Sequence, residues 1–404
     1  PPGYPFFLAS VYALFGDSPM APRIVQMSLG LINALLAFLL GWRWFGPRVG
    51  LIYAGLMSIS WIFIYFEGEL LDPALVVGLS LAMIHLLAGL ASRMSYRLAF
   101  AAGILLGAVA LVRPNLLPFG LPAVLWMAWV AHRRNDWKSA AAAIPAFVLG
   151  AALCVAPATV RNGLVARDPV LICANGGVNL YLGNNPRSNG VDPAGPGLGS
   201  WTSFDYPRIV RSLEEKLGRK LSYGESSSYF AGEAWRFIRD NPGRFARLTL
   251  KRALLFWGPA EIDSEGEAAV ERQHSRVLRY LPLAFPTALA LALMGLAMSG
   301  VELRRRIRAA GLSEFNRRQL QVGVLIGLFV LTCFVTYLPF FADTRFRLPV
   351  IPFLLLAGAV SIDRAYGHLR RGQDRWFAAW LAGLVALSML AGINLCRQAD
   401  RPER

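Results

Sequence analysis

Three short stretches set charged side chains against apolar runs: FEGELLDPAL at 66–75, ALVRPNLLPF at 110–119 and FFADTRFRLPVIPF at 340–353. In the first, Glu67, Glu69 and Asp72 are carboxylates that could take a proton from an acceptor or orient a sugar. The competing reading is a solvated turn in which Asp72 caps the helix that Pro73 opens. In the second, Arg113 stands near the lipid headgroups, either as a snorkelling anchor or as the partner of an anionic group. In the third, Asp343, Arg345 and Arg347 precede an apolar run, and guanidinium groups so placed can hold a phosphate through paired charge-assisted hydrogen bonds. Arg345 and Arg347 are two residues apart, so a continuous helix would point them roughly 200° apart. Pro349 favours an irregular lead-in that turns both toward one cleft, with Asp343 orienting one of them. The alternative is that one arginine pairs with Asp343 while the other snorkels to ordinary headgroups.

The composition says what must hold these residues. The 404 residues are 55% hydrophobic with 24 Phe and 11 Trp, and the mean hydropathy of +0.44 is that of an integral membrane protein. Apolar runs of near-spanning length fall at 24–40, 49–66, 74–91, 98–112, 116–131, 139–160, 281–301, 320–341, 348–365 and 376–395, giving about ten helices. The two arms around Arg113 are short, each covering roughly 22 Å. They are expected either to cross or to dip in and return.

The net charge of +16 does not indicate nucleic acid, because the basic residues cluster in short connections between apolar runs. Five alternate connections hold Arg43 and Arg48; Arg93 and Arg97; Arg133, Arg134 and Lys138; Arg304 to Arg318; and Arg364 to Arg375. By the positive-inside rule these are cytoplasmic. The acidic turn at 67–72, the long segment 161–280, the stretch around Asp343 and both termini then lie outside. The chain divides into a membrane region at 1–160 with about six helices, an extracytoplasmic domain with interfacial helices at 161–280, and a second membrane region at 281–404 with about four.

Within the middle region, CANGGVNLYLGNNPRSNG suits tight turns. Farther on, Asp240 or Asn241 caps, Pro242 opens and Gly258 ends a helix rich in cations and aromatics, as expected along headgroups. The four cysteines and four histidines are scattered with no CxxC or HxxxH spacing. Phosphate loops and serine-hydrolase elbows are absent too. No metal and no cofactor is expected.

The ordered set PPGYPFFLASVYALFGDSPMAPRIVQ, GILLGAVALVRPNLL, ATVRNGLV with NGGVNLYLGNNP, AWRFIRDNPGRFARLTLKRALLFW and DTRFRLPVIPFLLLAGAV resembles glycosyltransferase family 39 and its bacterial relatives. That group includes the protein O-mannosyltransferases and the lipid A aminoarabinose transferases of the GT-C superfamily. The resemblance runs over nearly the whole chain. It implies an all-α, multi-pass, GT-C-like membrane protein with a small extracytoplasmic α or α+β domain, located in the plasma (inner) membrane. The implied activity is transfer of a sugar from a polyprenyl or dolichyl phosphate carrier to a protein, lipid or glycan acceptor. In such enzymes basic residues near the outer surface hold the carrier phosphate, which maps here onto Arg345, Arg347 and Arg113 with Asp343. Glu69 and Asp72 are the visible acids; the family's usual base lies in a loop that would precede Pro1, so the chain resembles a piece lacking the first helix. A flippase, transporter or polymerase-like protein acting on the same lipids, or a non-catalytic scaffold, are the other classes considered. A transporter would show broken or charged helices at mid-membrane and internal repeats.

Overall fold

A computed structural model describes residues 1–192, 194–195, 199–200, 205–262, 268–310 and 313–396. The first helices are α1 (Gly3–Phe15), α2 (Met20–Phe45), α3 (Pro47–Ser58), α4 (Trp61–Gly68), α5 (Pro73–Leu90) and α6 (Tyr96–Val112). A 3-10 turn at Pro114–Phe119 leads into α7 (Gly120–Arg134), followed by α8 (Trp137–Leu164). Proline opens α3 and α5, where its missing N–H costs nothing. Asn135 ends α7 with a positive φ of 52°.

After α8 come α9 (Gly176–Gly183), a two-residue antiparallel pair β1 (Ala194–Gly195) and β2 (Gly199–Ser200), and then α10 (Tyr206–Leu217) and α11 (Tyr223–Asp240). Next are α12 (Pro242–Trp257), α13 (Ala268–His274) and α14 (Arg276–Tyr280). The chain ends its described course with α15 (Phe285–Ala310), α16 (Glu314–Tyr337), a 3-10 turn at Thr344–Phe346, α17 (Ile351–Leu369) and α18 (Asp374–Ala391). This is an all-α, multi-pass membrane protein.

All ten apolar runs are helical, and among the described residues seven helices are long and apolar enough to cross a membrane. Three runs differ from a plain span, each for a local reason. The run 49–66 is broken at Ile59 and Ser60 into α3 and α4, and Ser60 makes a parallel bridge to Leu283. Helix α6 has only 17 residues, and α17 ends in polar turns that carry Asp363, Arg364 and His368. Helix α1 is an element the sequence reading did not single out; it leaves Phe6, Leu14 and Phe15 exposed.

Helices α6 and α8 approach closely because each offers small residues. A methyl group on Gly103 would overlap the Phe147 carbonyl oxygen, and one on Gly150 the Phe100 carbonyl oxygen. Gly107 lies one turn farther along, against Ala151 and Cys154, completing a small-xxx-small stripe.

The five arginine-rich connections gather at one end of the bundle. Arg134 Nη1 donates to the Ala91 carbonyl at 3.1 Å, Gln319 Nε2 to the Trp44 carbonyl at 2.5 Å, and Arg48 lies over the Tyr366 ring at 6.0 Å. The acidic turn, residue 113, the 343–347 segment and helices α9 to α14 gather at the other end. Cys396, beyond α18, reaches this end as well, with its Sγ 3.9 Å from the Lys251 carbonyl. Val178, Leu182, Tyr206, Ile209, Val210, Leu213 and Phe230 form a small core of their own there, closed by Phe341 from beyond α16.

Candidate functional site

Asp72 occupies the residue before α5, yet its side chain caps no backbone N–H. Both its oxygens go instead to Arg113: Nε to Oδ2 at 2.5 Å and Nη2 to Oδ1 at 3.0 Å. The turn-and-cap reading of Asp72 therefore gives way to a bidentate ion pair joining α5 to the end of α6. The Arg113 side chain is 8% exposed and that of Asp72 is 20% exposed, so the carboxylate is the more open partner. The last donor, Arg113 Nη1, bonds the Arg345 carbonyl. One side chain thus ties the first half of the chain to the stretch before α17.

In that stretch Asp343 accepts from the Arg345 backbone N–H at 2.8 Å, which starts the 3-10 turn. Its carboxylate also holds the Arg345 guanidinium, with Nη2 to Oδ2 at 2.8 Å and Nε equidistant from both oxygens at 3.1 Å. The lead-in is irregular, but the two arginines do not share a cleft. Arg347 is 2% exposed and turns to Glu261, Nη2 to Oε2 at 2.6 Å, and to the carbonyls of Gly258 at 2.8 Å and Ala260 at 3.2 Å. Its guanidinium also stacks 3.9 Å from the centre of the Phe285 ring. The remaining cavity beside it is about 10 Å³, no more than the space of one water. Thr344 completes the link to the end of α12, accepting from Ile262 N–H at 2.7 Å and donating its own N–H to the Ile262 carbonyl at 2.6 Å.

Beyond Asp72, the acidic turn is organised by Gln26 from α2, which is fully buried. Its Nε2 donates to the carbonyls of Glu69 at 2.5 Å and Glu67 at 3.2 Å, while its Oε1 accepts from the Tyr4 hydroxyl at 2.6 Å. Burial, and then the charges of Asp72 and Glu69, hold the Tyr4 phenol above its ordinary range. Gln26 thus links the Tyr4 hydroxyl to the backbone of the acidic turn. Glu67 has its carboxyl seated against Gly30 of α2, and burial pushes it up to about 7.

Sequence reasoning missed three of these residues. Gln26 and Tyr4 sit in an apolar context with no charge to draw notice, though the polar Gln26 inside the α2 run was a signal available to find it. Arg252 in α12 reads as an interfacial cation but is fully buried. It donates to the carbonyls of Leu338 at 3.0 Å and Gly183, and to Asn184 Oδ1 at 3.3 Å, binding α9 to the end of α16. With no carboxylate among these partners, burial lowers its guanidinium to about 10. Among the described residues no three His, Cys, Asp or Glu side chains converge as a metal site would require.

The arrangement gathers acids on one loop and guanidinium groups on neighbouring loops at one end of the apolar helices. Residues 1–160 match the family model for dolichyl-phosphate-mannose-protein mannosyltransferases. This region supplies Tyr4, Gln26, Glu69, Asp72 and Arg113, so the resemblance read from the sequence has an independent counterpart over these residues. No curated protein and no solved structure gives a significant match to the chain.

Proposed function

We propose that this protein transfers a sugar from a polyprenyl or dolichyl phosphate to an acceptor on the extracytoplasmic side of the plasma membrane. The observation that carries the reading is that the family-matched region contributes both Asp72 and Arg113, and Arg113 locks onto the backbone of Arg345. Orientation follows from the arginine clusters at the opposite end, which the positive-inside rule assigns to the cytoplasm. The division at about 160 and 280 then gives two membrane regions flanking an extracytoplasmic one.

In this reading the acceptor's nucleophile attacks the anomeric carbon as the bond to the carrier phosphate breaks, and the departing phosphate takes the electron pair. Both oxygens of Asp72 are taken up by Arg113, so Asp72 serves to position Arg113 and the loop beyond. Glu69, on the same turn as Asp72, is assigned to receive the acceptor's proton, and Arg345 stands on the loop that Arg113 ties to that turn. Arg347 and Asp343 support the loop that carries Arg345.

Mannose on a dolichyl-type phosphate is the first donor to test, because the matching family is described by that donor. Membranes containing the protein are supplied with the sugar-labelled carrier, and labelled acceptor is counted. Wild-type protein is expected to yield product, and Glu69→Gln to reduce it about a hundredfold at equal protein level, the usual scale of losing a general base. Product no greater than in membranes lacking the protein, across a panel of carrier-linked hexoses, would sink the transferase reading.

A further inference from the structure

The guanidinium groups named so far at this end of the bundle are already matched. Arg113 faces Asp72, Arg345 faces Asp343, Arg347 faces Glu261, and Arg252 is wrapped by carbonyls. A phosphate arriving from the membrane needs positive charge that no carboxylate has neutralised. That surplus lies beside Glu261, in a cleft of about 600 Å³ lined by Trp61, Glu261, Arg272, Gln273 and Arg279. The volume is within the ordinary range for small-ligand sites.

The cleft is built from both halves of the chain. Trp61 starts α4, just past the break in the 49–66 run, and is 1% exposed. Its buried indole N–H has no partner among the described residues. Arg272 of α13 lies over the indole, with its guanidinium carbon 4.6 Å from the ring centre, and makes one carbonyl bond, Nη2 to Leu281 at 3.3 Å. Held by the ring, it keeps donors for another group. Arg279 of α14 has no acidic partner among the described residues. Glu261 is engaged by Arg347, so among the described residues neither Arg272 nor Arg279 is matched by a carboxylate of the cleft.

The position indicates how a ligand would arrive. Helix α14 exposes Val277 at 63% and Tyr280 at 79%, and Leu283 and Phe285 beyond it are buried at the start of the membrane helix α15. Exposed apolar side chains beside arginines at the end of a span mark the boundary between headgroups and acyl chains. A water-borne anion would meet no need for that apolar border.

We propose that this cleft binds a phosphate carried on a membrane lipid, with Arg272 and Arg279 donating to its oxygens and Trp61 walling the group next to it. The inference deepens the transfer reading above, since that reaction requires such a phosphate, but binding can be measured without any transfer.

The test uses the full chain in zwitterionic detergent with phosphatidylcholine as background, titrated with polyprenyl monophosphate or with phosphatidylglycerol and read by native mass spectrometry. Saturable one-to-one retention is expected, weakened at least tenfold by Arg272→Gln together with Arg279→Gln. Both are surface or half-buried positions, and unchanged thermal melting verifies folding. Arg276→Gln, exposed on α14 with Arg279 and not among the residues lining the cleft, is expected to bind as wild type. Tighter retention of the polyprenyl phosphate makes the cleft a donor site; equal retention of both lipids, equally lost in the double variant, makes it a general lipid-phosphate site. Undiminished binding in the double variant, or an equal loss in Arg276→Gln, overturns the proposal. Binding intact in a protein that transfers nothing would leave the cleft standing and remove the transferase reading instead.

Discussion

The bidentate pair between Arg113 and Asp72 lends itself to a double-mutant cycle, because both partners can be made neutral with little change of shape. Arg113→Met deletes two bonds to Asp72 and one to the Arg345 carbonyl. Hydrogen bonds to charged groups contribute about 1.5–3 kcal/mol each, and stranding one partner of a fully buried pair costs about 3–5 kcal/mol. Asp72 keeps 20% of its side-chain surface in contact with solvent, so the lower end applies and about 3 kcal/mol is expected. Asp72→Asn retains an acceptor for Arg113 but leaves a cation that is only 8% exposed facing a neutral amide, at about 2 kcal/mol. The double variant contains no stranded charge and should lose about 3 kcal/mol rather than the sum, a coupling of about 2 kcal/mol. Unfolding in mixed micelles, from midpoint and slope in a titration of denaturing detergent, supplies the four free energies. Additivity within about 0.5 kcal/mol would refute the reasoning, since it would mean that the two side chains act independently.

Two further outcomes follow from the same geometry. Glu67, raised from 4.5 to about 7 by burial, binds its proton more tightly in the folded state; stability is therefore greatest below pH 4.5 and falls as pH rises toward 7, by at most ~3 kcal/mol. Glu67→Gln should then raise the melting temperature at pH 8 while leaving it unchanged at pH 4.5, and an equal shift at both pH values would contradict that burial cause. Gly103→Val should separate α6 from α8 and lower the yield of folded, detergent-extracted protein severalfold, whereas Gly55→Ala, with open space around it, should not; equal yields would show that the close approach is dispensable.

How far the sequence disclosed this molecule depends on the range of the interaction concerned. Hydropathy is a local property, so every apolar run appeared as helix, and the arginine clusters sorted the connections to two ends before any contact was known. The break at Ile59 and Ser60 was not legible, because WIFIYF continues the apolar run and the bridge that matters is to Leu283, more than 200 residues away. GILLG stood in plain view as a small-xxx-small stripe but needed its partner on α8 to acquire meaning. Charge pairing was the least legible of all. Asp343 and Arg345 are near neighbours, and their pairing was among the alternatives open from spacing alone. Arg347 finds Glu261, and Arg113 finds Asp72, only through the tertiary fold.

The fate of Arg347 shows why residue type and position at a membrane boundary are insufficient to assign a phosphate ligand. A guanidinium has five donors, and folding fills them with whatever acceptors lie nearest. At Arg347 these are Glu261 and the carbonyls at the end of α12, and the site closes to about 10 Å³. Displacing Glu261 by a phosphate would exchange one anion for another and leave a buried carboxylate without its cation, a step that gains little. Arg272 and Arg279 have no such carboxylate to displace among the described residues, so a phosphate binding there adds charge pairing instead of trading it. The distinction predicts opposite phenotypes. Arg347→Gln should lower stability, with lipid-phosphate binding by the folded fraction unchanged, while the Arg272 and Arg279 substitutions should weaken binding at unchanged stability. Melting curves and lipid retention measured on the same preparations decide it, and the reverse pattern would return the phosphate to Arg347.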